Sequence, residues 1–131
     1  MEEQRFSFRF DPRLRPVLWL WGVRERDARV VVGPRGFYAR FGRMRVRTDL
    51  DNISCAEVTG PYRWWTAIGI RESLVDHGLS LGSNADSGVC IRFHTPVRGI
   101  PPGARHPGLT VTVEDTEGLL ALVNQLPGRT P

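Results

Sequence analysis

The chain has 131 residues, 40% of them hydrophobic and 24% charged, with a formal net charge of +4. That size and mixture fit one globular domain with its own core and exclude a wholly disordered chain. The charge is uneven: residues 1–50 hold 12 arginines against 6 acids, a net +6, and the remainder nets −2.

All 18 basic residues are arginine. Arginine grips phosphate and carboxylate bidentately, although a GC-rich genome produces the same bias without any anionic partner. The longest apolar run, residues 17–23, has about a third of the length a membrane-spanning helix needs. It also stands too far behind Met1 to resemble a secretion signal, so a cytoplasmic location is expected. Reduced thiols at Cys55 and Cys90 fit that compartment.

Phe6, Phe8 and Phe10 alternate with Arg5, Ser7 and Arg9, which predicts a short first strand ended by Asp11-Pro12. Residues 17–23, opened by Pro16, are apolar on both faces, and read as a strand buried on both sides or a segment plugging a core. Residues 28–32 form a β-branched strand closed by the turn Gly33-Pro34-Arg35-Gly36. Phe37, Ala39 and Phe41 then alternate with polar neighbours. At Gly42-Arg43 the apolar phase slips by one residue to Met44, Val46, Thr48 and Leu50. A tight turn between two strands explains the slip, which would otherwise turn the apolar side chains to water.

Asp51-Asn52 is a second turn, and residues 53–59 form a strand with Ala56 and Val58 inward, stopped by Gly60-Pro61. Residues 62–78 read as irregular and 79–81 as a short strand. Residues 82–88 read as a hairpin loop in which Asn84 and Asp86 bond local backbone. Val89, Ile91 and Phe93 mark the next strand. Residues 96–108, rich in proline and glycine, predict a long loop that ends in His106-Pro107-Gly108. After a last strand at 109–113, Asp115 or Thr116 caps a helix through Leu126, with Leu119, Leu120, Leu122, Val123 and Leu126 on its apolar side. Pro127-Gly128 stops it.

These elements predict a mainly β, single domain over residues 1–131. Residues 28–126 supply seven antiparallel strands in meander order and one C-terminal helix. Residues 1–27 add an extension with an extra strand segment. Such strands hide their edges as a barrel or as crossed sheets, with the helix closing an open end. The run Val46-Arg-Thr-Asp-Leu-Asp-Asn-Ile-Ser-Cys-Ala-Glu-Val58 resembles the strand-turn-strand signature of bacterial pleckstrin-homology-like (PH-like) domains. The ending Leu109-Thr-Val-Thr-Val-Glu-Asp-Thr-Glu-Gly-Leu-Leu-Ala-Leu-Val123 is similar to that family's last strand and helix. The resemblance implies a barrel that binds phosphoinositides, peptides or protein partners.

A narrower likeness is to conserved actinobacterial proteins and implies no activity. It rests on Arg9-Phe-Asp-Pro-Arg13, Pro16-Val-Leu-Trp-Leu-Trp-Gly22, Gly60-Pro-Tyr-Arg-Trp-Trp65 and Gly88-Val-Cys-Ile-Arg-Phe93.

Two surfaces are candidate sites. Tyr62, Arg63, Trp64, Trp65 and Arg71 are the residue types that dominate protein interfaces. In an extended chain Trp64 and Trp65 would point opposite ways, one to the core and one to a partner, with Arg63 lying across an indole. Arg43, Arg45 and Arg47 stand about 7 Å apart on one strand face, suiting an anionic lipid surface or nucleic acid, or simply a solvated edge.

The apolar run at 17–23 suggests a homo-oligomer interface. No enzyme motif occurs: His77, His94 and His106 lack partners at metal-ligand spacing, and no nucleophile elbow or dinucleotide fingerprint is present. A Cys90–His pair assembled in space is the only catalytic arrangement left open, and Gly82 to Gly88 lacks the Lys-Ser/Thr of a phosphate loop. The expectation is therefore a non-catalytic binding domain with no cofactor and no metal, engaging a protein or peptide or itself. The alternative is an anionic-surface binder.

Overall fold

A computed structural model describes residues 2–72, 77–98 and 104–126. It is mainly β, with two sheets and a C-terminal helix. The first sheet is an antiparallel meander of β1 (Gln4–Ser7), β2 (Ala28–Gly33), β3 (Gly36–Phe41) and β4 (Met44–Thr48). The phase slip at Gly42-Arg43 is the expected two-residue hairpin, with Phe41 opposite Met44. Gly42 adopts φ +65°, and a β-carbon there would press on Val23, so both the turn and the packing need glycine.

The second sheet has the order β5 (Ile53–Thr59), β8 (Gly88–Arg98), β9 (Arg105–Val111), β7 (Leu79–Gly82), β6 (Gly69–Glu72). The predicted meander of seven strands is corrected here. Nine strands are present among the described residues, and β7 pairs with β9 in parallel. Residues 82–88 accordingly do not close a hairpin: they cross from β7 to β8, which has β9 between them. Two further readings fall with it. Residues 62–78 are not wholly irregular, because α2 (Trp64–Ala67) and β6 lie there, β6 stabilised by pairing with β7. The loop predicted at 96–108 is shorter, since Val97 pairs with His106 and Arg98 with Arg105. The register shift between Arg92 and Val97 takes Pro96 out of the regular ladder.

Residues 15–20 fold as helix α1 (Arg15–Leu20), not as a strand. Pro16 in its first turn has no amide proton that the helix would miss, and Leu14 and Leu18 present an i, i+4 pair to the core. One face is buried and the other is not: Trp19, Leu20 and Trp21 are exposed. The first strand stops at Ser7; Phe8 makes an isolated bridge to Val113, and Phe10 packs partly buried beyond it.

Helix α3 (Thr116–Asn124) matches expectation. The Asp115 side chain caps it by accepting from the Gly118 amide at 2.9 Å, and Leu119, Leu122, Val123 and Leu126 are buried. The predicted stop at Pro127-Gly128 lies outside the described residues. The helix packs chiefly on β5, whose Ala56 is partly buried, whereas Val58, predicted inward, is 38% exposed because β5 is the outer strand of its sheet.

The sheets face one another across a single core, in which Phe37 of β3 meets Phe93 of β8 edge to face at 6.4 Å. Among the described residues neither sheet closes on itself. They are joined at two corners instead. At one, Asn52 donates to the Thr95 carbonyl and accepts from its amide, at 2.9 and 2.7 Å. At the other, Arg9 donates to Thr112 and Glu114 to Ser7, flanking the Phe8–Val113 bridge. No helix among the described residues is long and apolar enough to cross a membrane.

Candidate functional site

All four tryptophans are exposed, and two independent contacts place them at one end of the molecule. Trp21, after α1, lies on the bare backbone of Gly69, where a β-carbon would come within 2.5 Å of the indole. Gly69 follows α2, which carries Trp64 and Trp65. In addition, residues 11–14 ahead of α1 face residues 62–65 across a groove of about 550 Å³, with Ala85 and Asp86 also lining it. Trp19, Trp21, Trp64 and Trp65 are 55, 42, 49 and 55% exposed, and Leu20 is 90% exposed. Apart from Val58, these are the exposed large hydrophobic side chains of the described residues.

Trp64 and Trp65 do not split between core and solvent as an extended chain would have them. They sit on a helical turn, both outward, with rings perpendicular at 6.1 Å. Arg63 does lie across an indole, that of Trp65 at 5.9 Å; Arg71 lies over Trp21 and Arg24 over Trp19, each at 5.6 Å. The predicted set at 62–65 and 71 is thus brought together, and the structure adds Trp19, Leu20, Trp21 and Arg24. The sequence signal for these was the unusual Trp-Leu-Trp triplet, which looked equally suited to burial.

Tyr62 is an anchor, not a free contact. Its amide donates to Ala85 at 2.7 Å and its hydroxyl bonds Thr59. Burial pushes its phenol above the ordinary tyrosine range, the Thr59 hydrogen bond only partly opposing this. Across the groove, Asp11 accepts two bonds from the Arg13 guanidinium, which hold its carboxyl below the usual value. Asp86 is paired with Arg9. The groove's two carboxylates are therefore already neutralised.

Gly69→Ala tests the seat of Trp21. The position has φ +94°, so alanine is strained there before it meets the indole. The expected cost is about 1–2 kcal/mol with a changed near-ultraviolet dichroism. An unaltered spectrum and denaturation midpoint would show that Trp21 is not seated on Gly69.

Arg43 occupies the β3–β4 turn, and Arg45 and Arg47 project from the outer face of β4. Arg47 stacks on Tyr38 at 4.9 Å. They lie on the first sheet, with Arg43 in the turn that packs against Gly22 and Val23, just after Trp21.

No histidine stands opposite Cys90 on either neighbouring strand. His106, in β9 and fully buried, donates from Nδ1 to the His77 carbonyl at 2.7 Å, and Glu72 stands 3.4 Å from the same nitrogen. This corrects the reading of His106 as a loop residue. Cys90 faces Glu57 and Thr110 across its neighbouring strands. Cys55 and Cys90 are free and lie diagonally on adjacent strands, Cys55 opposite Arg92. No group of three or more metal-ligating side chains occurs among the described residues. No family model matches the chain, and neither does any curated protein or any solved structure.

Proposed function

We propose that this chain is a non-catalytic interaction domain of the PH-like type, and that its tryptophan end docks an acidic, apolar-containing segment of a protein partner. The topology supports the fold half of this reading. If the β6–β7 pair is set aside as an insertion, β1 to β4, β5, β8 and β9 are seven strands in meander order followed by α3. Residues 64–82 would then be a family-foreign addition that carries two of the four exposed tryptophans.

The observation that carries the binding half is the gathering of four half-exposed tryptophans and Leu20 on one end. Covering such side chains removes apolar area from water, which stabilises by about 25 cal/mol per Å². Tryptophan and arginine are also the residues on which interface energy concentrates. Charge then selects the partner. Arg24 and Arg71 lie over indoles and have no carboxylate partner among the described residues. A second copy of the chain would bring the same cations to the same patch, so carboxylates interspersed with apolar side chains complement it better.

Selection of a random peptide library displayed on phage against the purified chain tests this. Enriched sequences are expected to combine Asp or Glu with Leu or Phe, and Trp19→Ala and Trp64→Ala should each weaken their binding at least tenfold while the protein stays folded. Basic consensus sequences, or binding indifferent to both substitutions, would overturn it. Light scattering that finds a dimer dissociated by Leu20→Glu would replace the partner with a second copy.

A further inference from the structure

We propose that the outer face of the first sheet binds a single strand of nucleic acid, along a track of arginines that crosses β1 to β4 and continues to the far ends of β8 and β9. The strand register builds this face in rows. In one row Arg29, Arg40 and Arg45 stand directly opposite one another on β2, β3 and β4. In the next, two residues along, Arg5, Val31, Tyr38 and Arg47 follow across all four strands. A recess of about 260 Å³ opens between Arg5, Arg29 and Arg47, with Tyr38 in its lining. Beyond β4 a groove of about 450 Å³ shares Arg47 and adds Arg98 and Arg105.

Stability does not account for this arrangement. Like charges placed directly opposite in a sheet are destabilising. Only Arg40 is compensated, by Asp27 at 3.6 Å and by the Gly42 carbonyl; Arg29 and Arg45 have no ion pair among the described residues. Guarding an exposed edge against aggregation explains arginines on β4, an outer strand, but not those on β2 and β3 inside the sheet. Of the acids near the recess among the described residues, Glu3 lines it paired with Arg5, and Asp49 and Asp51 line a neighbouring pocket that shares Arg35 and Gly36 with it.

A linear polyanion fits the track better than a membrane does. Binding to a bilayer gains from apolar side chains that insert, and none of the exposed large hydrophobic side chains of the described residues belongs to β1–β4: Trp19, Leu20 and Trp21 lie on α1 and the turn after it, Trp64 and Trp65 on α2, and Val58 on β5. The face instead offers a partly exposed aromatic ring under a guanidinium, flanked by cations in two directions. That is the combination that stacks bases while neutralising a backbone. A broad four-stranded sheet does not enter a duplex groove, which admits a helix or a two-stranded ribbon.

Fluorescence anisotropy with a fluorescein-labelled oligothymidylate of about 12 nucleotides, titrated over a range of salt, decides the matter. Binding at low salt is expected to weaken steeply as salt rises. The double substitution Arg29→Ser with Arg45→Ser should reduce affinity at least tenfold and shrink the log–log salt slope by about 1.4, or about 0.7 for each phosphate released. Tyr38→Leu should lower affinity about tenfold with the slope unchanged. Arg29 and Arg45 flank Arg40 and make no ion pair among the described residues, so removing them breaks none and the double variant should melt no lower than the parent, which separates lost binding from lost folding. The proposal is overturned by no binding at low salt, by full affinity in the double variant, or by phosphatidylserine vesicles that bind and are not displaced by the oligonucleotide. Trp19→Ala and Trp64→Ala should leave this titration untouched, so the two surfaces are tested independently.

Discussion

Phe37→Ala is expected to cost about 3–5 kcal/mol, more than any surface change considered for this protein. Phe37 has no exposed area and lies at the start of β3, pointing into the space between the sheets. Its ring meets Phe93 of the opposite sheet at an interplanar angle of 64°. Truncation removes the apolar surface of the ring, opens a cavity that two rigid ladders cannot collapse to fill, and ends an aromatic pair worth roughly 0.5–1.5 kcal/mol by itself. Tyr38 is the adjacent control, on the same strand but the opposite face, and Tyr38→Leu should cost less than about 1 kcal/mol. Urea denaturation of both variants checks the pair. Equal losses at the two positions would mean that the sheets do not face each other through Phe37.

Asn84→Ala is expected to cost about 2–3 kcal/mol, a large effect for a residue in a loop. Asn84 is 1% exposed. Its amide nitrogen donates to the Arg9 carbonyl at 2.8 Å, and its oxygen accepts from the Asp86 and Ser87 amides at 2.9 and 3.3 Å. Ser83 beside it donates to the same Arg9 carbonyl at 2.7 Å, while the Ser83 amide donates to the Thr112 hydroxyl at 2.8 Å. These bonds tie the chain after β1 to the chain after β9, so the loop works as a clasp between the sheets. Alanine leaves two amides without their acceptor inside a packed turn. Asn84→Asp should be at least as damaging near neutral pH, because it keeps the acceptor but aims a buried negative charge at a carbonyl. The Tyr62 amide, which bonds Ala85 in the same loop, should also exchange its hydrogen faster. Stability and exchange both unchanged would show that the clasp carries no load.

The part of the fold legible in the residues is the part whose contacts are near in sequence. The phase slip at Gly42-Arg43 sufficed for the β3–β4 hairpin, because each strand's partner is the next strand along. Asp115 and the leucine spacing after it likewise sufficed for α3. Residues 17–23 misled because an apolar run of seven residues has no distinctive period. Only the solvent on one side and the core on the other show that Leu18 and Val23 are buried while Trp19, Leu20 and Trp21 are not. The candidate sites divide in the same way. The Tyr62–Trp65 cluster was visible as a short run of residues, whereas its joining to Trp21 depends on the contact with Gly69. Of the stripe read at Arg43, Arg45 and Arg47, only Arg45 and Arg47 share the strand, since Arg43 falls in the β3–β4 turn, and Arg29 and Arg40 enter the face only through the register of β2 and β3.

Alternation, turn chemistry and capping by themselves determined a mainly β chain with a central hairpin, an arginine-bearing outer face and a closing helix. Each of those is settled by interactions within a few residues. Tertiary structure decided the parallel β7–β9 pair, the crossing of residues 82–88, the exposed end shared by all four tryptophans and the rows of arginine. In each of these, the partner that satisfies a backbone group or covers a side chain is supplied by a distant segment, and no local pattern records which segment that will be.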